Sequence, residues 1–176
     1  VFPITASVKE AGGTLKLRAK LNYLACDDIC IPYSTLLSLD VGKGNGGASP
    51  HFQLIDKYAN LVPGNGAKHG LSIDTIEMAG KARQVKEDIR NGFVRVVATS
   101  QVPFTKPDVF IEGPELAFFS VPAVTLSDGG RQATLKVPVT LEEDTKILKT
   151  DIRLTLTDGN RSAERTLRLT QGAASE

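Results

Sequence analysis

The chain has 176 residues, with 21 basic and 20 acidic side chains and a formal net charge of +1. Because these charges are spread evenly along the sequence, there is no basic cluster of the kind that binds nucleic acid or an anionic membrane surface. Tryptophan is absent and aromatic residues make up 6% of the chain, so no stacking surface for bases or sugars is indicated.

The first predicted elements are two strands that run one after the other. Residues 14–24 alternate between apolar and polar side chains, and residues 34–41 repeat this period of two, which predicts two half-buried strands. The connection between them carries the only cysteines of the chain, Cys26 and Cys30. We expect Pro32 to punctuate this connection, since proline is uncommon inside a strand.

A glycine-rich loop and one short helix are predicted next. Residues 42–49 read GKGNGGAS, a composition typical of a flexible loop. Ser49 is expected to be the helix N-cap, Pro50 the first helical position, and the helical spacing of apolar residues extends to about Val62. The sequence PGNG at 63–66 ends the helix and predicts a boundary between a cysteine-bearing β-rich unit, 1–66, and a second unit, 67–176.

The second unit shows short strands separated by turn sequences. The strands are predicted at 71–78, 82–87, 93–100, 108–112, 116–120, 123–127, 131–141, 151–157 and 163–170. The sequences NG at 91–92, DGG at 128–130 and DGN at 158–160 predict tight connections. This pattern is typical of an immunoglobulin-like β-sandwich. The predicted fold class is therefore all-β. The first unit has too few strands to close a sandwich, so either its missing strands belong to a parent protein or residues 1–62 pack against the second sandwich. We expect a truncated first unit that leans on the second.

The spacing of the two cysteines favours redox chemistry. A disulfide between Cys26 and Cys30 closes a loop of about five residues, which the chain-entropy formula values at about 2 kcal/mol, against about 4.7 kcal/mol for a 100-residue loop. Because such a bond restrains little of the chain, we expect it to open and close. A structural disulfide and a metal site are the alternatives.

Asp27 and Asp28 lie between the two sulfurs and are expected to tune them. Negative charge beside a thiol disfavours the thiolate and raises the thiol pKa, whereas strongly oxidising dithiols stabilise the reduced thiolate. No Lys, Arg or His lies within five residues on either side of the pair. The sequence therefore predicts a dithiol that donates electrons. The simpler interpretation is that both aspartates serve only as turn residues.

Two segments resemble a known family. Residues 24–32, LACDDICIP, resemble the active-site segment of the N-terminal periplasmic domain of DsbD-type protein-disulfide reductases, and they are closer still to the ScsB relatives named for suppression of copper sensitivity. Residues 107–114, PDVFIEGP, are similar to the downstream part of ScsB-like N-terminal regions. In that family an immunoglobulin-like domain receives electrons from a membrane-embedded domain through a thioredoxin-like domain and passes them to soluble periplasmic proteins.

The resemblance implies a protein-disulfide reductase domain that works through Cys26 and Cys30 without a cofactor or a metal. The implied donor is the thioredoxin-like domain of the parent protein, and the implied acceptors are soluble periplasmic thioredoxin-fold proteins. The implied location is the periplasm of a Gram-negative bacterium, as part of an inner-membrane protein. By the same resemblance Cys30 forms the mixed disulfide with partners and Cys26 resolves it. Tyr23, Pro32 and Tyr33 are expected to tune the pair.

The sequence departs from this family in two respects. DsbD itself has a wider gap between its cysteines, and its sandwich places most strands, with an aromatic loop that caps the disulfide, before them. Only 25 residues precede Cys26, and Phe2 is the only phenylalanine among them, so no cap is assigned. No run approaches the roughly 18 apolar residues of a membrane-spanning helix, and any export signal is expected to have been removed or left out of this sequence. We therefore expect membrane attachment only through a missing parent segment.

Two other functions remain open from the sequence. The first is an immunoglobulin-like binding or structural module with an inert disulfide. The second is a Cu(I) site, since a close thiol pair suits soft metals, although Met78 is the only methionine. His51 and His69 lie 21 or more residues beyond the nearest cysteine, so a mixed Cys/His site needs tertiary coincidence.

Overall fold

A computed structural model describes residues 2–7, 13–84, 89–142 and 145–172, with side chains described for all of these except 80–84 and 89–91. The chain divides into two compact units, Val1–Leu61 and Val62–Glu176.

The first unit contains a long antiparallel hairpin. Strand β1 spans Leu15–Cys26 and strand β2 spans Cys30–Val41. They pair without a register shift from Leu15 opposite Val41 to Cys26 opposite Cys30. Both strands are longer than predicted, because the cysteines belong to the ladder and only residues 27–29 form the turn. Pro32 lies inside β2, opposite Leu24, so the expectation that it punctuates the connection is wrong.

The register gives the hairpin two distinct faces, since directly opposed residues of an antiparallel pair share a face. One face, mostly apolar, is called the apolar face and comprises Leu15, Leu17, Ala19, Leu21, Tyr23, Ala25, Ile31, Tyr33, Thr35, Leu37, Leu39 and Val41. The other is called the cysteine face and comprises Lys16, Arg18, Lys20, Asn22, Leu24, Cys26, Cys30, Pro32, Ser34, Leu36, Ser38 and Asp40. Nearly all of these residues are exposed.

One short helix follows the glycine-rich loop. Helix α1 spans Phe52–Ala59, which is shorter than predicted, and His51 is its N-cap. Ser49 takes part through its backbone carbonyl, which accepts a hydrogen bond from the Phe52 N–H at 3.0 Å. The N-cap therefore lies two residues later than the predicted Ser49, and the His51 side chain makes no cap hydrogen bond.

The second unit is built from two antiparallel sheets and a short parallel edge strand. Its strands are β3 Leu71–Gln84, β4 Ile89–Ser100, β5 Pro107–Glu112, β6 Ala117–Phe119, β7 Ala123–Ser127, β8 Gln132–Glu142, β9 Asp151–Asp158, β10 Arg161–Arg168 and β11 Thr170–Gln171. One sheet has the order β10-β9-β5. The other has the order β11-β3-β4-β8-β6, with β7 also paired to β8.

This strand order is that of an immunoglobulin-like sandwich. With β3, β4 and β5 taken as strands A, B and C, the two sheets correspond to the ABED and CFG sheets of a constant-type domain. Side chains from both sheets meet in one core that excludes water. Its largest fully buried members are Ile73, Val94, Val96, Leu135, Val137, Val139, Ile152, Leu154, Leu156 and Leu169. The predicted all-β fold with one short α-helix is confirmed.

One predicted turn in this unit is wrong. Residues 91–92, the NG sequence, lie inside β4. Residues 71–78 and 82–84, from two separately predicted strands, belong to the single strand β3, with a register shift between Ala79 and Arg83. The rest of the predicted strand 82–87, residues 85–87, lies outside the described residues. A Cβ atom on Gly92 would approach Met78 Cε to 2.7 Å. A side chain at position 92 would therefore require the end of the Met78 side chain to move.

A buried carboxylate fastens the turn between β9 and β10. Asp158 Oδ1 accepts hydrogen bonds from the Thr105 N–H at 3.0 Å and from the Lys106 N–H at 2.6 Å, and Arg161 pairs with Oδ2. Burial raises the pKa of Asp158, but the hydrogen bonds from Lys106, Thr105 and Arg161 outweigh it, so this pKa lies below its ordinary value of 3.8. The predicted tight connection at 158–160 is confirmed, with Gly159 at a φ of 62°.

Candidate functional site

The closed end of the hairpin carries the cysteine pair. Cys26 and Cys30 are joined by a disulfide, and their Cα atoms lie 4.1 Å apart. The Asp27 N–H donates a hydrogen bond to the Ile29 carbonyl at 3.1 Å, which closes the turn. The pair is thus held by the last rung of a ladder of 12-residue strands, and the turn itself has only three residues.

The disulfide is exposed among the described residues of the first unit. Both cysteines and both aspartates of the turn are exposed, and Ile29 is 70% exposed. A shallow depression at this end is lined by Ala25, Cys26, Asp27, Asp28, Ile29 and Ile31. No described side chain caps the bond in the way an aromatic loop would. A thiolate arriving from solution therefore meets the sulfurs directly.

The side chains beside the disulfide change from charged to apolar along the cysteine face. At the open end of the hairpin, Arg18 and Asp40 form an exposed ion pair at 3.6 Å. Next to the disulfide the opposed pair is Leu24 and Pro32, and Leu24 is 63% exposed. Leu24 and Ile29 were not singled out as site residues from the sequence. The period-two pattern, once aligned on the cysteines, places Leu24 on their face.

The predicted tuning residues separate into two groups. Asp27 and Asp28 form the turn, and Pro32 lies on the cysteine face next to Cys30. Tyr23 and Tyr33 oppose each other on the apolar face and stack, with ring centroids 5.3 Å apart and planes 15° apart. The two tyrosines therefore lie on the side of the hairpin away from the sulfurs, three rungs from the cysteine pair, where their stacked rings connect the two strands.

Metal ligands do not gather around the pair in the described part of the chain. No cluster of three or more His, Cys, Asp or Glu side chains is placed to hold an ion within those ranges. His51 precedes α1, and His69 ends a short 3₁₀ helix at Ala67–His69 in the second unit. Over the same residues, no helix is long and apolar enough to cross a membrane.

Comparison with known proteins assigns the second unit to a family. A family model described as a domain of unknown function, DUF8393, matches residues 61–172. A search of curated proteins finds no match. The matched segment does not reach the cysteine hairpin, so the resemblance to DsbD-type reductases stays a prediction. Since the match covers more than half of the 176 residues, the chain belongs to the DUF8393 family of domains of unknown function.

Proposed function

We propose that the chain is a thiol–disulfide exchange module that passes reducing equivalents through Cys26 and Cys30. In this proposal it acts as a protein-disulfide reductase domain in the periplasm, as part of an inner-membrane protein. It takes electrons from a thioredoxin-like donor and gives them to soluble thioredoxin-fold proteins. The observation that supports this proposal best is the exposed disulfide at the closed end of the hairpin.

The proposed exchange needs no cofactor. A donor thiolate attacks one sulfur of the pair, a mixed disulfide forms, and the other cysteine leaves as a thiolate that takes a proton from water. The second donor thiol, as a thiolate, then attacks the mixed disulfide, so the donor becomes a disulfide and the pair gains two electrons and two protons. The same two steps, with the pair as the attacking dithiol, reduce an acceptor disulfide.

The hairpin supports this chemistry because its backbone pairing does not depend on the bond. The Asp27–Ile29 hydrogen bond and the ladder from Ala25 opposite Ile31 onward continue on either side of the cysteine rung. We therefore expect reduction to keep the two sulfurs adjacent, ready to close again. The short loop gives the bond only about 2 kcal/mol of stabilising effect, which suits a bond that must be broken in each cycle.

The charge at the turn supports the direction of electron flow. Asp27 and Asp28 are the charged groups closest in sequence to the sulfurs. Negative charge destabilises the thiolate and so makes the reduced pair a better electron donor. A pair of this kind is expected to be reducing and slow to react with small oxidants until a partner binds.

A second candidate function is a binding or structural module with an inert disulfide. The observation in its favour is that the family match, at residues 61–172, covers the sandwich and excludes both cysteines. A Cu(I)-binding thiol pair has no comparable observation in its favour.

Trapping of mixed disulfides tests the proposed function. Oxidised thioredoxin-like protein is mixed with the reduced chain as the Cys26→Ser variant, the Cys30→Ser variant, or the double variant as a control. If Cys30 forms the bond with partners, Cys26→Ser accumulates a covalent complex that reductant dissolves, and Cys30→Ser accumulates far less.

The outcomes separate the two candidate functions. If Cys30→Ser traps the partner and Cys26→Ser does not, the thiol–disulfide exchange function is kept and the roles of the two cysteines are reversed. If neither variant traps a partner while circular dichroism shows folded protein, the inert-disulfide module is the better assignment. The reduction potential of the wild-type pair completes the test, because an exchange-active reductant must equilibrate with a thioredoxin-like donor.

A further inference from the structure

The two outer edges of the hairpin differ next to the disulfide. A Cα separation of 4.1 Å between Cys26 and Cys30 matches the close, non-hydrogen-bonded type of antiparallel pair. The Asp27–Ile29 hydrogen bond on the next rung fits the same alternation. Every second residue from the cysteines therefore points its N–H and C=O groups away from the partner strand. On β2 these residues include Cys30, Pro32 and Ser34.

Neither edge has a neighbouring strand in the described residues, since β1 and β2 form a two-stranded sheet. Such an edge normally invites another strand to pair. Pro32 is the only proline in either strand, and proline has no N–H to donate. A residue at position 32 would direct its N–H outward, so proline there removes no hydrogen bond between β1 and β2. The outer edge of β2 loses a donor beside Cys30, whereas β1 keeps the outward N–H of Leu24.

The direction of the disulfide makes this difference matter. Because Cys26 and Cys30 oppose each other across the ladder, their S–S bond runs from β1 to β2. A thiolate displaces a disulfide sulfur by approaching along the S–S axis, opposite to the leaving sulfur. Attack on Cys30 therefore comes from beyond β2, and attack on Cys26 comes from beyond β1. Side chains of a strand added about 4.8 Å away would stand in that approach.

We propose that Pro32 is a positioning residue of the exchange reaction, which prevents strand pairing on the outer edge of β2 and keeps the approach to the Cys30 sulfur open. This inference rests on the proposed function. The partner thiolate bonds to Cys30 Sγ, the Cys26–Cys30 bond breaks, and Cys26 leaves with the electron pair as a thiolate. The edge of β1 remains the one that a further strand can cover, which shields Cys26.

The test uses the oxidised full chain with reduced glutathione as the attacking thiol. Pro32→Val restores an outward N–H with a residue that favours strands, and Leu24→Val, on the opposed position, is the matched control. A second copy of the chain supplies the pairing strand, so the chain concentration is varied. After acid quenching, tandem mass spectrometry gives the ratio of glutathione on Cys30 to glutathione on Cys26.

We expect the wild type and Leu24→Val to keep or raise this ratio as concentration increases, and Pro32→Val to lower it several-fold. Adding Ser34→Pro to Pro32→Val blocks the next outward position of the same edge and should restore the ratio. A role of Pro32 in folding alone would not be restored in this way.

Three outcomes overturn the inference. The inference is wrong if Pro32→Val keeps the wild-type glutathione ratio at every chain concentration. It is also wrong if adding Ser34→Pro to Pro32→Val fails to restore the ratio. Both of these leave the exchange function in place, because glutathione still attacks the pair. If glutathione modifies neither cysteine in any variant, the proposed function fails together with the inference.

Discussion

Reducing the Cys26–Cys30 disulfide is expected to weaken the first unit slightly and to leave the sandwich unchanged. The sequence separation of the two cysteines is 4, so the bond closes a loop of about five residues. The chain-entropy formula gives such a loop about 7 cal/mol/K, or about 2 kcal/mol at 25 °C. This free energy acts on the unit that contains both cysteines, Val1–Leu61.

The second unit serves as an internal control for this experiment. It contains no cysteine, and its core is formed by its own two sheets. In a domain of this size, 1 kcal/mol shifts the melting temperature by about 4–8 °C. If the bond stabilised the sandwich by the full 2 kcal/mol, reduction would lower its melting temperature by roughly 10 °C. We expect a shift of about 1 °C or less.

Calorimetry of the oxidised and reduced chains measures this shift, and the Cys26→Ser/Cys30→Ser variant gives the same comparison without reductant. Amide hydrogen exchange adds the local readout, because faster exchange on reduction should be confined to the hairpin. A sandwich transition that falls by several degrees would refute the reasoning. A disulfide that resists reduction in the folded protein would also refute it, because both results are expected of a structural disulfide.

Two further predictions concern carboxylates. Replacing Asp27 and Asp28 together by Asn should move the reduction potential of the pair in the oxidising direction, because the thiolate is no longer repelled; an unchanged or more reducing potential in equilibration with glutathione would make them turn residues only. Asp158 has a pKa below 3.8 in the folded unit, so its stabilising effect is present above that pH and is lost as pH falls through the folded pKa. Asp158→Asn should therefore cost about 2–4 kcal/mol at neutral pH, by leaving Arg161 without its buried partner, and should flatten the acid limb of a pH-dependent urea titration. The control is Asp108→Asn, since Asp108 is only half-buried. Equal losses of unfolding free energy in the two variants would contradict the role given to Asp158.

The fold could be predicted from the sequence where one face of a strand is buried. Strands β8 and β9 show the strict alternation that a sandwich imposes on strands with one face toward the core, and both were predicted to within a residue or two. The turn at 91–92 was mispredicted because asparagine followed by glycine is a strong local turn signal. The structure instead places Gly92 inside β4, opposite Val139 of β8, and no local pattern contains this pairing between residues distant in sequence.

The candidate site was predictable in its chemistry and only partly in its geometry. The spacing of Cys26 and Cys30 identified the pair, but the face on which each neighbour lies depends on the strand register. Tyr23 and Tyr33 each lie three residues from a cysteine, and Pro32 lies two residues from one. The tyrosines nevertheless lie on the opposite face of the hairpin. Local sequence distance is therefore a poor guide to proximity in a strand, where each step reverses the side.

The stacked tyrosines at the closed end of the hairpin make the chain its own optical reporter. The protein has no tryptophan and three tyrosines, and the third, Tyr58, lies in helix α1. All three belong to the first unit, so tyrosine emission observes that unit alone. Because two of the three rings stack on the hairpin that the disulfide closes, we expect opening of the bond to be followed in real time by intrinsic fluorescence, without a label.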